Sequence, residues 1–404
     1  MHHGDSTEPV RSKFAPGEYA ARVDVDVPHR LITTQDALDP TNPVLRQVID
    51  DAGRDDPARC LICIDSGLLD AQPDLPDRIA AYANHHADVM LPVGSTMVVP
   101  GGETCKQDPD AYQRIVRAIH DHAICRHSFV IVLGGGAVLD AVGFAAAISH
   151  RGVRLVRFPT TTLAQDDSGV GVKNGINAFG KKNFIGSFTV PWAVINDSSF
   201  LGTLDDRDWR AGFSEAVKVA LLKDAELFEA IEGSATRIRR RDVMTASAII
   251  AASAELHLEH IVTFGDPFEL TEARPLDFGH WAAHKLEQMT DFTLRHGEAV
   301  SIGLAIDVTY AALLDMLPWT DRDRIVTTLE NLGLPIRHHA MHDQQTLFEG
   351  LKEFREHLGG QLTIPLLTGI GKPIDVHSID LHVMQRAIDM LADGESRVPS
   401  TTVE

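Results

Sequence analysis

Three histidines in the C-terminal half of the chain have a spacing suited to metal chemistry. His280 and His284 stand four residues apart in RPLDFGHWAAHKLE, so they would share one face of a helix, and His296 follows in RHGEAV. Glu215, in GFSEAVKVALL, would project from another helix on the same face as Lys218. One carboxylate with two imidazoles leaves an open position on a zinc ion, as a catalytic site requires. The chain has 20 histidines, so a chance cluster is an equal alternative.

A glycine turn in the N-terminal half is suited to binding a phosphate. The apolar run FVIVL leads directly into Gly134, Gly135 and Gly136, and a helical pattern follows. Glycines let the backbone approach a phosphate closely, and the helix N-terminus offers free N–H groups. The spacing differs from the full GxGxxG fingerprint, so a tight turn without a ligand is the alternative. A second glycine turn, PGGE, lies just before Lys106.

The segment FPTTTLAQDDSGVGVKNGINAFGKKNFIGSF, residues 158–188, is more polar than a simple connection requires. Lysines presented among glycines are suited to a phosphate or an oxyanion, and a solvated loop is the alternative. The polar side chains of interest are Thr160, Thr161, Asp166, Asp167, Lys173, Lys181, Lys182 and Asn183.

Two types of pattern divide the chain. Short β-branched runs alternate with helical patterns over residues 21–205, which predicts a parallel sheet covered by helices. Long patterns with apolar residues at intervals of three and four fill residues 206–404, which predicts a helical domain. The first 20 residues, rich in glycine, proline and charge, are expected to form a loose terminus.

Composition limits the classes of partner. The 404 residues carry a formal charge of −20, which disfavours nucleic acid and anionic membranes, so a small-molecule partner is expected. No apolar run approaches the roughly 20 residues that span a bilayer. Four cysteines and no signal-like segment indicate a reducing cytoplasm. Cys60 and Cys63 form a CxxC, but on the strand CLICID they would point to opposite faces, which favours core cysteines over a zinc site.

Taken in order, these motifs resemble the dehydroquinate synthase superfamily, the sugar phosphate cyclases. The resemblance runs from about Cys60 to Gly371 and rests on PGGETCK, GGGAVLD, the RG of HRGVRLVRFPTT, AQDDSGVGVK, GKKN, SEAVK, DFGH and HGEAV. It implies an NAD-binding, Rossmann-like α/β domain with a parallel sheet, an all-α C-terminal domain and a homodimer.

The resemblance also implies roles for individual residues. The metal, with zinc favoured over cobalt, would be bound by Glu215, His280 and His296. NAD contacts would fall on Asp65, Glu103, Lys106, Gly135, Gly136, Asp140, Thr160 and Thr161, with Lys182 nearby. Substrate and catalytic contacts would fall on Asp167, Lys173, Asn183, Lys218 and His284, with Arg151 reaching across from the neighbouring subunit and Asp277 in place of a family asparagine.

The mechanism implied by the resemblance recycles NAD. The metal would polarise a substrate hydroxyl, and a hydride would pass to NAD+ from the carbon that bears it. The new ketone would acidify the adjacent C–H, and phosphate would be eliminated. The hydride then returns, and an intramolecular aldol step closes the ring without net oxidation. Lys218 would orient the reacting hydroxyls, and the lysine-rich glycine loop would hold the phosphate.

Three positions depart from dehydroquinate synthases, whose substrate carries a carboxylate. In an ungapped alignment, a lysine and an arginine that bind this carboxylate become Glu259 and Ala273, and the asparagine becomes Asp277. Each lost cation removes contacts worth roughly 1.5 to 3 kcal/mol. A one-residue gap would bring Arg274 into this position instead. The stretches ARPLDFGH and EFREHLGGQLTI resemble the 2-epi-5-epi-valiolone synthase branch, whose substrate, sedoheptulose 7-phosphate, has no carboxylate.

The sequence therefore predicts a divergent cyclase that acts on a carboxylate-free sugar phosphate, with sedoheptulose 7-phosphate favoured. His284 is retained as in dehydroquinate synthases, where the valiolone branch has proline, so 3-dehydroquinate synthase is the alternative. A metal- and NAD-dependent polyol dehydrogenase of the same architecture is another, although the phosphate-holding residues argue against it. A scaffold that lost catalysis is a third, and the complete metal set argues against that.

Overall fold

The computed structural model describes residues 26–179, 181–263, 276–357, 360 and 362–394. The terminus predicted over residues 1–20 lies outside these residues, as do Ala273 and Arg274.

A parallel sheet forms the centre of the N-terminal half. Seven strands join it in the order β1-β9-β6-β5-β2-β3, with β4 also paired to β2, and every pairing is parallel. The central strands are runs of β-branched residues buried on both faces, as a sheet covered by helices requires. The strands are β1 (Leu31–Thr34), β2 (Ala58–Asp65), β3 (Met90–Pro92), β4 (Met97–Val99), β5 (Phe129–Gly134), β6 (Arg154–Pro159) and β9 (Ala193–Asp197).

Helices cover both faces of this sheet, and a hairpin lies apart from it. The helices are α1 (Val44–Asp50), α2 (Ser66–Ala71), α3 (Leu75–His85), α4 (Thr104–Gln107), α5 (Pro109–Asp121) and α6 (Gly136–Ile148). The antiparallel hairpin consists of β7 (Lys173–Ala178) and β8 (Lys181–Phe188). Cys60 and Cys63 are free and buried in separate apolar clusters on opposite faces of the sheet, as predicted.

The C-terminal half is a bundle of helices around α12, which is buried along most of its length. Its apolar stripes form one core that is separate from the two cores of the sheet. The helices are α7 (Asp206–Ala211), α8 (Phe213–Lys223), α9 (Ala225–Arg239), α10 (Val243–Thr263), α11 (His280–Met289), α12 (His296–Leu313), α13 (Trp319–Leu332), α14 (Gln344–His357) and α15 (Leu381–Asp393). Among the described residues, no helix is long and apolar enough to cross a membrane.

The helical half also contains one small hairpin that the sequence analysis did not predict. Strand β10 (Ile364–Gly369) pairs antiparallel with β11 (Lys372–Val376), and Gly371 at the turn has a φ of 74°. The run IPLL is a short buried apolar segment, and periodicity alone does not distinguish such a segment from part of a helix. The predicted class of an α/β half followed by a helical half is otherwise confirmed.

The two halves meet where a polar turn of the first packs on helices of the second. The turn Ala164–Ser168 is wound as a π-helix and contacts both α8 and α10. Single turns of π-helix are frequent at functional sites. This turn carries Asp166 and Asp167, so the packing brings both carboxyl groups toward the helical half.

Candidate active site

The carboxylate of Glu215 and two imidazoles meet at one point in the helical half. Ligand atoms of Glu215, His280 and His296 all lie within 4.8 Å of one another. Glu215 Oε1 is 3.2 Å from His296 Nε2 and 3.6 Å from His280 Nε2. These groups come from the first turn of α8 and the first residues of α11 and α12. One oxygen and two nitrogens are a donor set that zinc and cobalt accept, so the residues fit a divalent metal.

The position of His280 is set by a buried anchor under the start of α11. Gly279, with a φ of 77°, packs against the backbone of Gly303 so closely that a side chain at either position would overlap the other residue. The carboxylate of Asp307 accepts hydrogen bonds from the Gly279 N–H at 3.0 Å and from Trp281 Nε1 at 2.8 Å. These contacts fix the first turn of α11, and the direction of His280 with it.

Second partners orient both imidazoles. His280 Nδ1 donates to the carbonyl of Phe278 at 3.0 Å, which leaves Nε2 directed at Glu215. His296 Nδ1 lies 3.2 Å from the carboxylate of Glu287, which likewise leaves Nε2 directed at Glu215. A hydrogen bond on one ring nitrogen fixes the tautomer and frees the other nitrogen for a metal.

A lysine lies beside the metal set and balances its charge. Lys218 Nζ is 2.5 Å from Glu215 Oε2, and both side chains are buried. Burial lowers the pKa of Lys218, but Glu215 and Asp167 outweigh it, so the net shift is upward. Burial raises the pKa of Asp167, but Lys218 and His257 together outweigh it, so the net shift is downward. The site therefore keeps an ammonium between two carboxylates.

The sequence analysis missed His257, and it named Asp166 among the polar residues of its segment without assigning it a role. His257 Nδ1 is 3.2 Å from Asp167 Oδ1. The signal was available, because His257 follows the buried residues Ser253 and Ala254 at helical spacing on α10. Asp166 is fully buried, and burial together with the charges of Asp167 and Glu215 raises its pKa well above the ordinary range.

His284 lies beside the metal set. Its ring is 5.4 Å from that of His280 and stacks at 6.0 Å on that of His296. Its side chain reaches solvent, yet partial desolvation by the surrounding protein, with the neighbouring His280 and His296, lowers its pKa well below the ordinary value, so the ring is neutral at neutral pH. A neutral imidazole next to the metal set can accept a proton or a hydrogen bond from a substrate hydroxyl.

The glycine turn between β5 and α6 leaves room for a ligand backbone contact. Asp65 Oδ2 accepts a hydrogen bond from the Gly135 N–H at 3.4 Å, and Gly135 caps the N-terminus of α6. A Cβ on Gly136 would lie 2.5 Å from Ser168 Oγ, and one on Gly101 would lie 2.5 Å from Asp65 Oδ1. A side chain at either position would have to displace Ser168 or Asp65, so glycine is favoured at both.

Polar side chains connect α6 with the β7-β8 hairpin. Lys106 Nζ is 2.5 Å from Asp140 Oδ2 and donates to Asn183 Oδ1 at 2.9 Å. Burial lowers the pKa of Lys106, but Asp140 and Glu103 outweigh it and raise the pKa overall. Glu103 also accepts a hydrogen bond from Asn177 at 3.3 Å. The expected cofactor residues on α4 and α6 are thus brought together with the hairpin.

Lys182, expected near the cofactor, also reaches the helical half. Lys182 Nζ is 3.0 Å from Glu287 Oε1 and 3.8 Å from Glu103 Oε1. Glu287 was missed from the sequence, although it follows His280 by seven residues and His284 by three, so the spacing placed all three on one face of α11.

The remaining predicted residues occupy four different positions. Thr160 is buried and its N–H donates to the carbonyl of Gly134, and Thr161 Oγ1 accepts from the Ala164 N–H at 3.1 Å. Asp277 is buried, and its charge raises the pKa of Lys218. Lys173 begins β7 at an exposed position, and Arg151 lies in an exposed turn with a φ of 62°.

Family models match most of the chain. The model for the 3-dehydroquinate synthase N-terminal domain matches residues 96–211, and the model for the C-terminal domain matches residues 212–354. A 2-epi-5-epi-valiolone synthase from Streptomyces glaucescens is 32% identical over 370 residues, covering 90% of this chain and 91% of that protein. A 3-dehydroquinate synthase from Halorhodospira halophila is 34% identical over 322 residues, covering 77% and 89% of the two chains.

Solved structures agree with these matches. The 2-epi-5-epi-valiolone synthase from Streptomyces hygroscopicus subsp. jinggangensis 5008, solved with NAD+ and Zn2+ bound, has a TM-score of 0.83 at 28% identity, covering 93% of this chain and all of that one. A 2-deoxy-scyllo-inosose synthase shares the fold at a TM-score of 0.73 and 22% identity, with 89% and 95% of the chains covered. The chain therefore belongs to the dehydroquinate synthase-like superfamily of sugar phosphate cyclases.

Proposed function

We propose that this chain cyclises a seven-carbon sugar phosphate without a carboxylate, with sedoheptulose 7-phosphate as the favoured substrate and elimination of phosphate as the key step. The observation that carries the substrate choice is Asp277, a buried carboxylate whose charge contributes to the raised pKa of Lys218. Glu215 and Asp167 surround the same lysine with further negative charge. A site with this balance would repel a substrate carboxylate and accept uncharged hydroxyls.

Glu259 supports the same choice. It occupies the last turn of α10, where its charge partly opposes the effect of burial on the pKa of Lys223. An acidic residue at a position where dehydroquinate synthases have a carboxylate-binding lysine removes an attraction and adds a repulsion. The similarity to two valiolone synthases, at 32% and 28% identity, agrees with a sugar phosphate of this kind.

The proposed cofactors are NAD and one divalent metal, as in the valiolone synthase solved with NAD+ and Zn2+. When bound, NAD supplies a reversible hydride acceptor and the metal supplies a positive charge for substrate oxygens. Glu215, His280 and His296 would hold the metal through the three donors that lie together. The glycine turn after β5, with Asp65, would hold the dinucleotide at the N-terminus of α6.

The chain's own side chains would perform the proton and positioning steps. The Lys218 ammonium, held by Glu215, would donate to the substrate hydroxyls next to the metal. The neutral imidazole of His284 would accept a proton on the same side. Asp167, held by His257, would accept a hydrogen bond from a further hydroxyl.

A phosphate site is proposed at the edge of the β7-β8 hairpin. Asn183 has a φ of 52° and is held by Lys106, so its backbone turns at the point where a phosphate would bind. Lys173 is the first residue of β7, the first strand of this hairpin. Arg151 is exposed in a turn and would complete the site of a neighbouring subunit in a homodimer. We expect this homodimer to work in the cytoplasm, where the free cysteines stay reduced.

The test of the substrate is a direct comparison. The purified chain is incubated with NAD+, Zn2+ and either sedoheptulose 7-phosphate or the heptulosonate phosphate of dehydroquinate synthases, and the released phosphate and the carbocycle are measured. We expect phosphate release from the first substrate and little from the second. Efficient turnover of the heptulosonate alone would show that the chain is a 3-dehydroquinate synthase. That second candidate is favoured by one observation, the retained His284 next to the metal set.

His280→Ala removes one metal donor while leaving the carboxylate and the second imidazole in place. We expect turnover to fall below detection, because the remaining donors would no longer hold the metal against water. Phosphate release by this variant at the rate of the unaltered protein would show that the metal is bound elsewhere. A steady accumulation of NADH from polyols, without phosphate release, would instead indicate a dehydrogenase.

A further inference from the structure

We propose that Glu287 and Lys182 form an interdomain pair that positions the metal ligand His296. The inference rests on the metal site of the proposed function, but it assigns these two residues to the support of that site. Lys182 would therefore act through Glu287 on the metal.

The contacts form a continuous line across the two halves. Lys182 Nζ is 3.0 Å from Glu287 Oε1, the other carboxylate oxygen is 3.2 Å from His296 Nδ1, and His296 Nε2 is 3.2 Å from Glu215 Oε1. Glu287 is only 3% exposed, so water does not replace these partners easily. A carboxylate on the outer nitrogen of a metal-binding imidazole fixes the ring and raises its basicity.

Lys182 is held in place from several sides. Its ammonium lies 4.5 Å over the ring of Phe292 and 3.8 Å from Glu103 Oε1, in addition to Glu287. Its neighbour Asn183 is bound by Lys106, which belongs to α4 of the same α/β half. The hairpin that carries Lys182 is therefore tied to the expected cofactor side, and Glu287 receives its partner only when the two halves sit together.

The charges agree with this assignment. Glu287 lies between the Lys182 ammonium on one oxygen and the His296 imidazole on the other, an arrangement suited to an ionised carboxylate. Each carboxylate oxygen of Glu287 thus has a polar partner, as a buried carboxylate requires. Lys182 neutralises the charge that Glu287 would otherwise add next to Glu215.

The test measures metal affinity without turnover. Co2+ binding to the NAD-free full chain is followed by its visible absorption and by competition with a chelator, for the unaltered protein and for Glu287→Gln, Glu287→Ala and Lys182→Met. We expect Glu287→Ala to weaken binding by about 10- to 100-fold and to alter the Co2+ spectrum. Glu287→Gln, which keeps the shape, should weaken binding less than Glu287→Ala. Lys182→Met should weaken it in the unaltered background and add little in the Glu287→Ala background.

The matched control is Glu353→Gln. Glu353, on α14, pairs through Oε1 with Lys285 Nζ at 2.6 Å, and Lys285 lies on the same helix α11 as Glu287. Glu353 itself is not among the metal donors. This variant should bind Co2+ as the unaltered protein does. Affinity and spectrum unchanged in Glu287→Ala, or effects of Lys182 and Glu287 that simply add, would overturn the inference. A failure of the unaltered protein to bind any Co2+ would instead contradict the metal site of the proposed function.

Discussion

At the scale of single residues, the groups that share a motif or a helix face were predictable from the sequence. Their partners from other elements were not. Sequence order and resemblance named Glu215, His280 and His296, whose donors the structure places together. Glu287 and His257 were missed because each acts through a partner distant in the chain. Glu287, for example, meets Lys182 across 105 positions. Spacing along one helix reports a shared face, but not the group that meets this face from another element.

Asp307 gives a test of the buried anchor under His280. Burial raises its pKa to about 7, against 3.8 when exposed, although Trp281 and Gly279 donate hydrogen bonds to it. Between about pH 4 and pH 7 the unfolded carboxyl ionises while the folded one keeps its proton, so this group makes the free energy of unfolding fall as pH rises. The full effect is roughly 4 kcal/mol.

Asp307→Asn cannot ionise, so it removes this slope. The free energy of unfolding of the variant, minus that of the unaltered protein, should therefore increase by a few kcal/mol from about pH 5 to about pH 8. Urea unfolding at both pH values measures it. The same difference at the two pH values would show that Asp307 ionises as an exposed carboxyl does.

At the scale of elements, the periodic runs of the sheet and of the long helices were predictable, because burial of both faces or of one stripe leaves a clear pattern. The hairpin β10-β11 was not, since its strands are short and one of them is mostly exposed. The interior of α6 is a further case. A glycine inside a helix is normally destabilising, but Gly143 allows β7 to pack closely on α6.

Gly143→Ala tests that packing. A Cβ there would overlap Asn174 Oδ1, which accepts a hydrogen bond from the buried Arg157 at 2.7 Å, and would lie 3.2 Å from Leu155 Cδ2. We expect a loss of about 1 to 3 kcal/mol in the free energy of unfolding, because the helix is forced away from the hairpin.

Gly233→Ala on α9 is the matched control, because a Cβ there meets nothing within 4 Å. It should stabilise the protein by about 0.5 to 1 kcal/mol, as alanine does in place of an exposed helical glycine. Thermal unfolding of both variants measures the contrast. Equal effects of the two substitutions would contradict the close approach of α6 to Asn174.

At the scale of the whole molecule, the site is shared by both halves. The metal donors belong to the helical half, whereas Asp167, Lys182 and the glycine turn belong to the other. The order of motifs along the chain was sufficient to identify the superfamily, and side chains from several of them meet where the two halves join. The proposed substrate rests instead on the balance of charge around Lys218, which no single motif reports.

The central claim is that the chain uses NAD as a recycled cofactor to eliminate phosphate from a sugar phosphate. The most direct measurement supplies far less NAD+ than sedoheptulose 7-phosphate, in the presence of Zn2+, and follows phosphate and NADH together. The account predicts many phosphates released per NAD+ and no accumulation of NADH. Phosphate release that stops at one equivalent of NAD+, with a matching amount of NADH, would contradict it.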